Sequence, residues 1–262
     1  MMPLLNVNGL SKEYKLPGYF LNRKTHTALF PINFNVHAYK TLAIVGESGS
    51  GKSTLAKLLV GAESPTTGDI KLNGQTLQVG NFKQRCQHIR MIFQDSSTTL
   101  NPSLTIHQLL DEPLKLNTDL DELARTLLIS ETLKKVGLLS DHMNFYPHMF
   151  SGGQKQRISL ARAIILKPQV IILDEALASL DPSLRSQMIN LLLDIQKQMG
   201  LAFILISHNL GIVKHFSDDI MVLSKGMVIE QGKTIDVLTK PSQKYTKKLI
   251  MSQQFQILSR YK

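Results

Sequence analysis

The sequence contains one cysteine, no tryptophan and few aromatic residues of any kind. Because Cys86 is alone, the chain forms no internal disulfide, and no cysteine cluster is present to bind zinc or an iron–sulfur centre. The histidines show no metal-ligand spacing either. These absences exclude a disulfide-stabilised fold and a thiolate metal centre.

Long apolar runs are missing as well. No uncharged apolar segment approaches the ~20 residues that a membrane-spanning helix needs. The longest runs, at 170–173 and 203–206, have the length of buried strands. The N-terminus lacks a charged start followed by an apolar stretch, so no secretory signal is predicted. We therefore expect a protein that stays in the cytoplasm unless a partner holds it at a membrane.

Acidic residues are outnumbered by basic ones, 20 against 30, which gives a formal net charge of +10. Nucleic acid, an anionic membrane surface or an anionic nucleotide would each account for such an excess. Much of the excess lies near the two ends, and no basic stripe is interleaved with aromatic residues. The pattern therefore argues against nucleic acid as a partner. A solvated basic surface and proximity to a membrane stay as equal alternatives.

The hydrophobic pattern predicts an α/β fold with a mostly parallel sheet. The stretch from Leu4 to Lys15 is interpreted as an edge strand, and residues 16–28 as a loop. A turn signal at Asn73-Gly74 predicts an antiparallel hairpin. Buried strands alternating with helices are predicted at residues 41–45, 170–173 and 202–206.

Between residues 96 and 167 the character of the sequence changes. Leucines at helical spacing among charged residues predict an inserted helical subdomain there. The length of 262 residues fits one domain, residues 1–262, with this insertion and a tail at 241–262. In such a fold, ligands bind beyond the carboxyl ends of the parallel strands.

Residues 46–54, with the sequence GESGSGKST, follow a predicted strand and open a predicted helix. They match the P-loop pattern G-x-x-x-x-G-K-[ST]. Glycines let the backbone turn its N–H groups towards a phosphate, and the helix N-terminus adds partial positive charge. Lys52 is expected to bind the β- and γ-phosphates and Ser53 to coordinate Mg²⁺. The predicted nucleotide-binding residues are Gly46, Glu47, Ser48, Gly49, Ser50, Gly51, Lys52, Ser53 and Thr54.

Two further strand ends carry candidate catalytic residues. Asp174 and Glu175 close the strand at 170–173; Asp174 is expected to hold Mg²⁺, and Glu175 to orient or deprotonate the attacking water. His208 follows the strand at 202–206 and is expected to contact the γ-phosphate. The alternatives are an ordinary acidic cap for the acid pair and a structural role for the histidine.

The P-loop alone also fits kinases and GTPases, but a second motif separates them. Ser151-Gly152-Gly153-Gln154 precedes a predicted helix and resembles the signature of ATP-binding-cassette (ABC) ATPases. The resemblance implies that two subunits enclose two ATP molecules head to tail. The signature of one subunit then closes on the nucleotide held by the other.

The same resemblance assigns three more roles. It implies that Gln94 contacts Mg²⁺ and senses a membrane partner. It also implies that the loop Ser179-Leu180-Asp181 crosses between the two ATPase domains of the dimer, with Asp181 as a nucleotide-binding residue. It also implies that Tyr14 stacks on adenine, which suits an aromatic face.

Finer features point to a subfamily. A resemblance to oligopeptide and dipeptide transporter ATPases is carried by residues 146–150 (YPHMF) and 93–102. A closer resemblance, to the Sap-type peptide system, is carried by residues 174–181 (DEALASLD) and 116–120. The resemblance implies a peripheral subunit at the cytoplasmic face of the inner membrane. Its partners would be permease subunits, a second, paralogous ATPase and, indirectly, a periplasmic binding protein. A heterodimer is expected, with a homodimer as the alternative for the isolated chain.

Two other functions are alternatives to transport. Soluble cassette ATPases acting on nucleic acid or ribosomes usually carry long coiled coils or two cassettes, and neither is visible. A nucleotide sensor without turnover needs neither Glu175 nor His208. The departures from the family pattern, Phe150 for leucine and residues 176–178 (ALA) for Pro-Thr-Ser, remove no catalytic group. The transported molecule stays open, because specificity lies in other subunits.

Overall fold

The computed structural model describes residues 2–15, 25–93, 100–178 and 180–259, without the side chains of 82–84 and 254–259. The chain forms two compact units. The first unit consists of residues 1–85 and 202–262, and the second unit of residues 86–201.

The helices and strands follow one another in this order. The N-terminal part contains β1 (Leu5–Lys15), β2 (Thr25–Val36), β3 (Thr41–Val45), α1 (Lys52–Val60), β4 (Thr67–Leu72), β5 (Gln75–Thr76) and α2 (Phe82–His88). The central part contains β6 (Ile89–Ile92), α3 (Ile106–Asn117), α4 (Glu122–Lys135), α5 (Gly152–Ile164), β7 (Val170–Asp174) and α6 (Pro182–Met199). The C-terminal part contains β8 (Ala202–Ile206), α7 (Leu210–Phe216), β9 (Asp219–Ser224), β10 (Met227–Lys233), α8 (Thr234–Thr239) and α9 (Lys244–Ser259).

An antiparallel sheet in the first unit has the strand order β2-β1-β4-β5. Leu5 of β1 lies opposite Val36 on one side and Leu72 on the other. The prediction of an edge strand here is therefore wrong, because β4 supplies a second partner that no local pattern announces. The predicted loop is also too long: β2 begins at Thr25, while residues 16–24 lie outside the described part.

A second sheet in the first unit has the order β10-β9-β3-β8. Strand β3 lies between parallel partners, with Ala43 opposite Leu205 of β8 and Ile220 of β9. All five residues of β3 and all five of β8 are buried, as expected for strands that are covered on both faces. β10 pairs antiparallel with β9 at the sheet edge.

The second unit combines a parallel strand pair with helices. Met91 of β6 lies opposite Ile172 of β7. The helices α3 to α5 bury an apolar core that includes Ile106, Leu110, Leu114, Ile129, Leu133 and Ile158. Parallel strands, an antiparallel sheet and a helical segment confirm the predicted α/β class. Within the described part of the chain, no helix combines the length and apolar character needed to cross a bilayer.

Candidate nucleotide-binding site

The predicted site residues divide between the two units. The first unit carries Tyr14, residues 46–54 and His208; the second unit carries residues 151–154, Asp174, Glu175 and Asp181. Gln94 and Ser179 lie outside the described residues.

The P-loop turns between the end of β3 and the start of α1. Gly46 has a φ of 156°, and a Cβ atom there would stand 2.2 Å from the carbonyl oxygen of Leu223. Only glycine fits a backbone so close to another strand. The Ser50 carbonyl accepts a hydrogen bond of 3.0 Å from the N–H of Gly226, so the turn between β9 and β10 also holds the loop.

The Lys52 ammonium lies inside this loop. Its Nζ donates hydrogen bonds to the carbonyl oxygens of Gly46 at 2.9 Å and Glu47 at 2.8 Å, and to Oγ of Ser50 at 3.3 Å. The side chain is buried, with 8% of the residue exposed. A buried cation at a helix N-terminus is a strong binding group for an anion. The next residue, Ser53, is exposed.

His208 leaves the same edge of the sheet as the P-loop. Ile206 of β8 lies beside Ile44 of β3, so the segments that follow these parallel strands emerge together. His208 is exposed and precedes Asn209, which caps the helix α7 by accepting hydrogen bonds from the N–H groups of Gly211 and Ile212. The structure thus brings two of the predicted motifs together.

Tyr14 also lies beside the P-loop helix. Its phenol donates a hydrogen bond to Glu63, and the side chain of Thr54, the last residue of the P-loop motif, is a second polar neighbour that acts on the pKa of Tyr14. Burial first, and then the hydrogen bond to Glu63, raises the pKa of Tyr14, whereas Thr54 lowers it. Tyr14 is therefore a neutral aromatic residue next to the predicted phosphate site.

In the second unit, Asp174 is the last residue of β7 and Glu175 begins a turn. Glu175 has a φ of 51°, which is uncommon for a residue with a side chain. The N–H of Ala178 bonds the Glu175 carbonyl at 3.0 Å and closes the turn. Strain of this kind is often found at functional residues.

The signature residues form the N-terminus of α5. Ser151 caps the helix: its Oγ accepts the N–H of Gln154 at 3.3 Å, and Oε1 of Gln154 accepts the N–H of Ser151 at 3.0 Å. Ser151 and Gly152 are exposed. The reciprocal capping box therefore gives Ser151 and Gln154 a structural role at the start of α5. Gly152 lies between them in the exposed first turn of the helix.

Residues 29–178 match the family model described as ABC transporter. The chain belongs to the ABC transporter family.

Several curated relatives resemble this ABC protein along almost its whole length. "Peptide transport system ATP-binding protein SapF" of Shigella flexneri is 51% identical over 247 residues, covering 94% of this chain and 92% of the relative. The same figures hold for "Putrescine export system ATP-binding protein SapF" of Escherichia coli K12. "Dipeptide transport ATP-binding protein DppF" of that organism is 42% identical over 95% of this chain and 75% of the relative.

Solved ABC structures share the fold. The chain matches CbiO1 of Clostridium perfringens, part of the ABC transporter complex CbiONQ, with a TM-score of 0.78, 28% identity and 97% coverage of both chains. A dimeric, post-hydrolysis structure of the cassette MJ0796 with ADP and Pi matches with a TM-score of 0.74 and 26% identity, covering 88% of this chain and 98% of the other. The predicted ABC ATPase fold and the predicted family are therefore confirmed, and the chain is an ATPase that binds ATP.

Sequence reasoning missed an arginine that holds the loop of this ABC ATPase before α6. The Arg185 guanidinium donates to the carbonyl oxygens of Leu177 at 3.1 Å, Ala178 at 3.5 Å and Leu180 at 2.6 Å. Asp181 caps α6 by accepting the N–H of Leu184 at 3.0 Å. Arg185 follows the cap residue Asp181 by one helical turn, and this spacing is a sequence signal that could have predicted its contacts with the preceding loop.

The C-terminal helix was missed in the same way. Tyr245 of α9 accepts, at 3.4 Å, a hydrogen bond from the N–H of Glu47 in the P-loop. Gln253 of α9 contacts the backbone beside His208. The tail carries no recognisable motif, so only the folded structure reveals these contacts.

Each unit carries an oxygen donor of the kind that Mg²⁺ prefers. In the first unit it is the Ser53 hydroxyl at the start of α1, and in the second unit it is the Asp174 carboxylate at the end of β7. The described residues hold no group of three His, Cys, Asp or Glu side chains placed to bind a metal. An ion bound mainly by nucleotide phosphates and water needs no such protein cluster.

Proposed function

We propose that this chain energises a peptide transporter of the inner membrane by hydrolysing ATP. The observation that carries this is the 51% identity, over 94% of the chain, to ATP-binding proteins that include peptide transport subunits. A second candidate cargo is putrescine, because an equally similar relative bears the name of a putrescine export protein.

In this proposal the P-loop binds the triphosphate. The Lys52 ammonium exchanges backbone acceptors for phosphate oxygens, and the N–H groups of the first turn of α1 add hydrogen bonds. Ser53, Asp174 and Gln94 would hold Mg²⁺, which would neutralise charge on the phosphates. Tyr14 stacks on the adenine.

Hydrolysis needs a base and a group that stabilises the reacting phosphate. Glu175 orients the attacking water and accepts its proton, as a carboxylate does in general base catalysis. His208 contacts the γ-phosphate and stabilises the charge that develops there. The left-handed backbone at Glu175 supports this assignment, because strained residues cluster at catalytic positions.

A second subunit completes the site. Residues 151–154 form an exposed helix N-terminus, which suits a phosphate of a nucleotide held elsewhere. We propose that they close on the ATP of a paralogous ATPase, with Asp181 at the crossing. A dimeric structure of a related cassette with ADP and Pi supports this arrangement. Binding of ATP then brings the two subunits together and hydrolysis releases them.

The proposed location is the cytoplasmic face of the inner membrane, with permease subunits as direct partners. A periplasmic binding protein would act indirectly, through the permeases. The net charge of +10 fits proximity to an anionic surface and fits a solvated basic surface equally well.

The decisive variant for hydrolysis is Glu175→Gln. We expect ATP binding to persist, turnover to fall by at least ~100-fold because the general base is lost, and an ATP-dependent dimer to accumulate in size-exclusion chromatography. Glu131→Gln makes the same charge change at an exposed position of α4 and should change nothing. Unchanged phosphate release from Glu175→Gln would remove Glu175 from this role.

The cargo requires a separate experiment. The chain would be purified from membranes together with its bound permeases, and ATP turnover in proteoliposomes would be measured with a short peptide or with putrescine. Stimulation by peptide supports the proposal. Stimulation by putrescine alone would replace it with the second candidate.

A further inference from the structure

A cluster of charged side chains surrounds the Tyr14 phenol. The hydroxyl donates a 2.5 Å hydrogen bond to Oε2 of Glu63. The same carboxylate receives the ammonium groups of Lys57 at 3.4 Å and Lys12 at 3.8 Å. The side chain of Glu63 is 24% exposed and that of Lys12 is 16% exposed, so these two are largely shielded from water, whereas the Lys57 side chain is 54% exposed.

Lys12 covers one face of the tyrosine ring. Lys12 and Tyr14 are two residues apart on β1, so their side chains project from the same side of the strand. The Lys12 ammonium lies 5.1 Å from the ring centroid and is fixed by a 2.7 Å hydrogen bond to the carbonyl of Ser64. A cation over an aromatic face is attracted to it. A flat ligand that stacks on Tyr14 must therefore use the opposite face.

The charges in the cluster support each other. The hydrogen bond from Tyr14 lowers the pKa of Glu63 more than any other contact, burial opposes it, and Lys57 and Lys12 lower it further. Glu63 is therefore an anion across the neutral pH range. An anionic acceptor makes a stronger hydrogen bond than a neutral one, so the phenol is held firmly.

We propose that Glu63 is a positioning residue for the nucleobase: it fixes the Tyr14 ring, while Lys12 blocks one face and leaves the other for the base of ATP. The inference rests on the proposed function, in which Tyr14 stacks on adenine. Glu63 contacts Tyr14 and acts through it, because nothing in this geometry requires Glu63 to contact the nucleotide. Replacing Glu63 should therefore weaken the binding only of ligands that carry a nucleobase.

The test compares two ligands that share the phosphates and differ in the base. Binding of ATP and of inorganic tripolyphosphate would be measured by calorimetry on the full chain. Glu63→Ala should weaken ATP binding by ~5-fold, the size expected for loosening one aromatic contact, and leave tripolyphosphate binding unchanged. Glu63→Gln keeps an acceptor for the phenol and should recover most of the ATP affinity. Glu13→Ala changes a neighbouring exposed carboxylate on β1 and should affect neither ligand.

A double-mutant cycle separates positioning from general damage. Tyr14→Phe keeps the ring but loses the hydroxyl, so it should match Glu63→Ala, and the double variant should be no weaker than either. Additive losses, or an equal loss for tripolyphosphate, would overturn the inference.

Tyr14→Ala distinguishes the stacking role of Tyr14 from the positioning role of Glu63. If it lowers ATP affinity relative to tripolyphosphate and Glu63→Ala does not, only the positioning role fails. If it leaves that ratio unchanged, the assignment of Tyr14 to adenine fails, and the role of Glu63 with it. ATP turnover by the unchanged chain tests the proposed function independently of both.

Discussion

Gln253 of the C-terminal helix and His208 are joined by a hydrogen bond from the Gln253 side-chain amide to the His208 carbonyl. The amide oxygen of Gln253 also accepts the N–H of Leu210 at 2.9 Å, so one side chain spans the loop that carries His208. Glu230 anchors the start of α9 by accepting hydrogen bonds from the backbone N–H groups of Ser242 and Gln243. The tail is thereby attached to the loop that follows β8.

Gln253→Ala should slow ATP turnover, because the His208 backbone loses its support. Two hydrogen bonds of about 1 kcal/mol each are removed, and we expect turnover to fall by up to ~30-fold with little change in ATP binding. Steady-state phosphate release and nucleotide titration would measure the two effects. Met251→Ala, at an exposed position of the same helix, is the matched control. Equal turnover in the two variants would show that the contact has no role in hydrolysis.

Two glycines in similar turns allow a sharp comparison. Gly74 and Gly226 have φ values of 78° and 77°, so alanine costs roughly 1–2 kcal/mol of backbone strain at either site. A Cβ on Gly74 meets nothing within 4 Å, whereas one on Gly226 would stand 2.8 Å from the Ala28 carbonyl oxygen. Gly226 also binds the P-loop through Ser50.

Gly226→Ala should therefore lower the free energy of unfolding more than Gly74→Ala and also weaken ATP binding. Gly74→Ala should cost stability alone. Urea denaturation and ATP titration of both variants would check this. The expectation is wrong if the two variants lose the same stability and bind ATP equally.

Asp111 in α3 makes the buried ion pair of the helical segment. Its carboxylate lies 2.6 Å from Nε of Arg125 and 2.7 Å from Nζ of Lys115, and its side chain is 7% exposed. Asp111→Asn leaves the Arg125 guanidinium without its charge partner and should cost about 3 kcal/mol of unfolding free energy. The Lys115 side chain is 60% exposed, so Lys115→Ala should cost only about 0.5 kcal/mol. A similar loss in both variants, measured by denaturation, would contradict this account.

The same pair predicts a pH dependence. Burial would raise the pKa of Asp111, but hydrogen bonds from Lys115 and Arg125 outweigh it and hold the pKa below the usual 3.8. A carboxyl with a depressed pKa stabilises the fold above its unfolded value and loses that contribution as pH falls through the folded value. The stability difference between the unchanged chain and Asp111→Asn should therefore shrink below about pH 3.8. A difference that stays constant in acid would show that the charge is not its cause.

Local features were predictable from the sequence, and distant contacts were not. The Lys52–Val60 helix, its glycine stop at Gly61 and the turn at Asn73-Gly74 depend on neighbouring residues, and the structure has all three. The second partner of β1 lies about sixty residues away in β4, and no nearby pattern encodes it.

The site shows the same division. The P-loop could be recognised because its glycines, lysine and hydroxyl act within one turn. Glu63 lies 49 residues from Tyr14, and Gln253 lies 45 residues from His208, so chain folding alone makes them neighbours. The roles assigned to Glu175, His208 and the signature residues stay predictions until the variants are measured.

Because Glu175 has a left-handed backbone, selection for stability and selection for ATP hydrolysis favour different residues at this position. A glycine or asparagine at 175 would relieve roughly 1–3 kcal/mol of strain, so a library screened only for heat resistance should enrich those residues. Each such gain would remove the carboxylate that we propose as the general base, so we expect the more stable variants to have lost ATP hydrolysis.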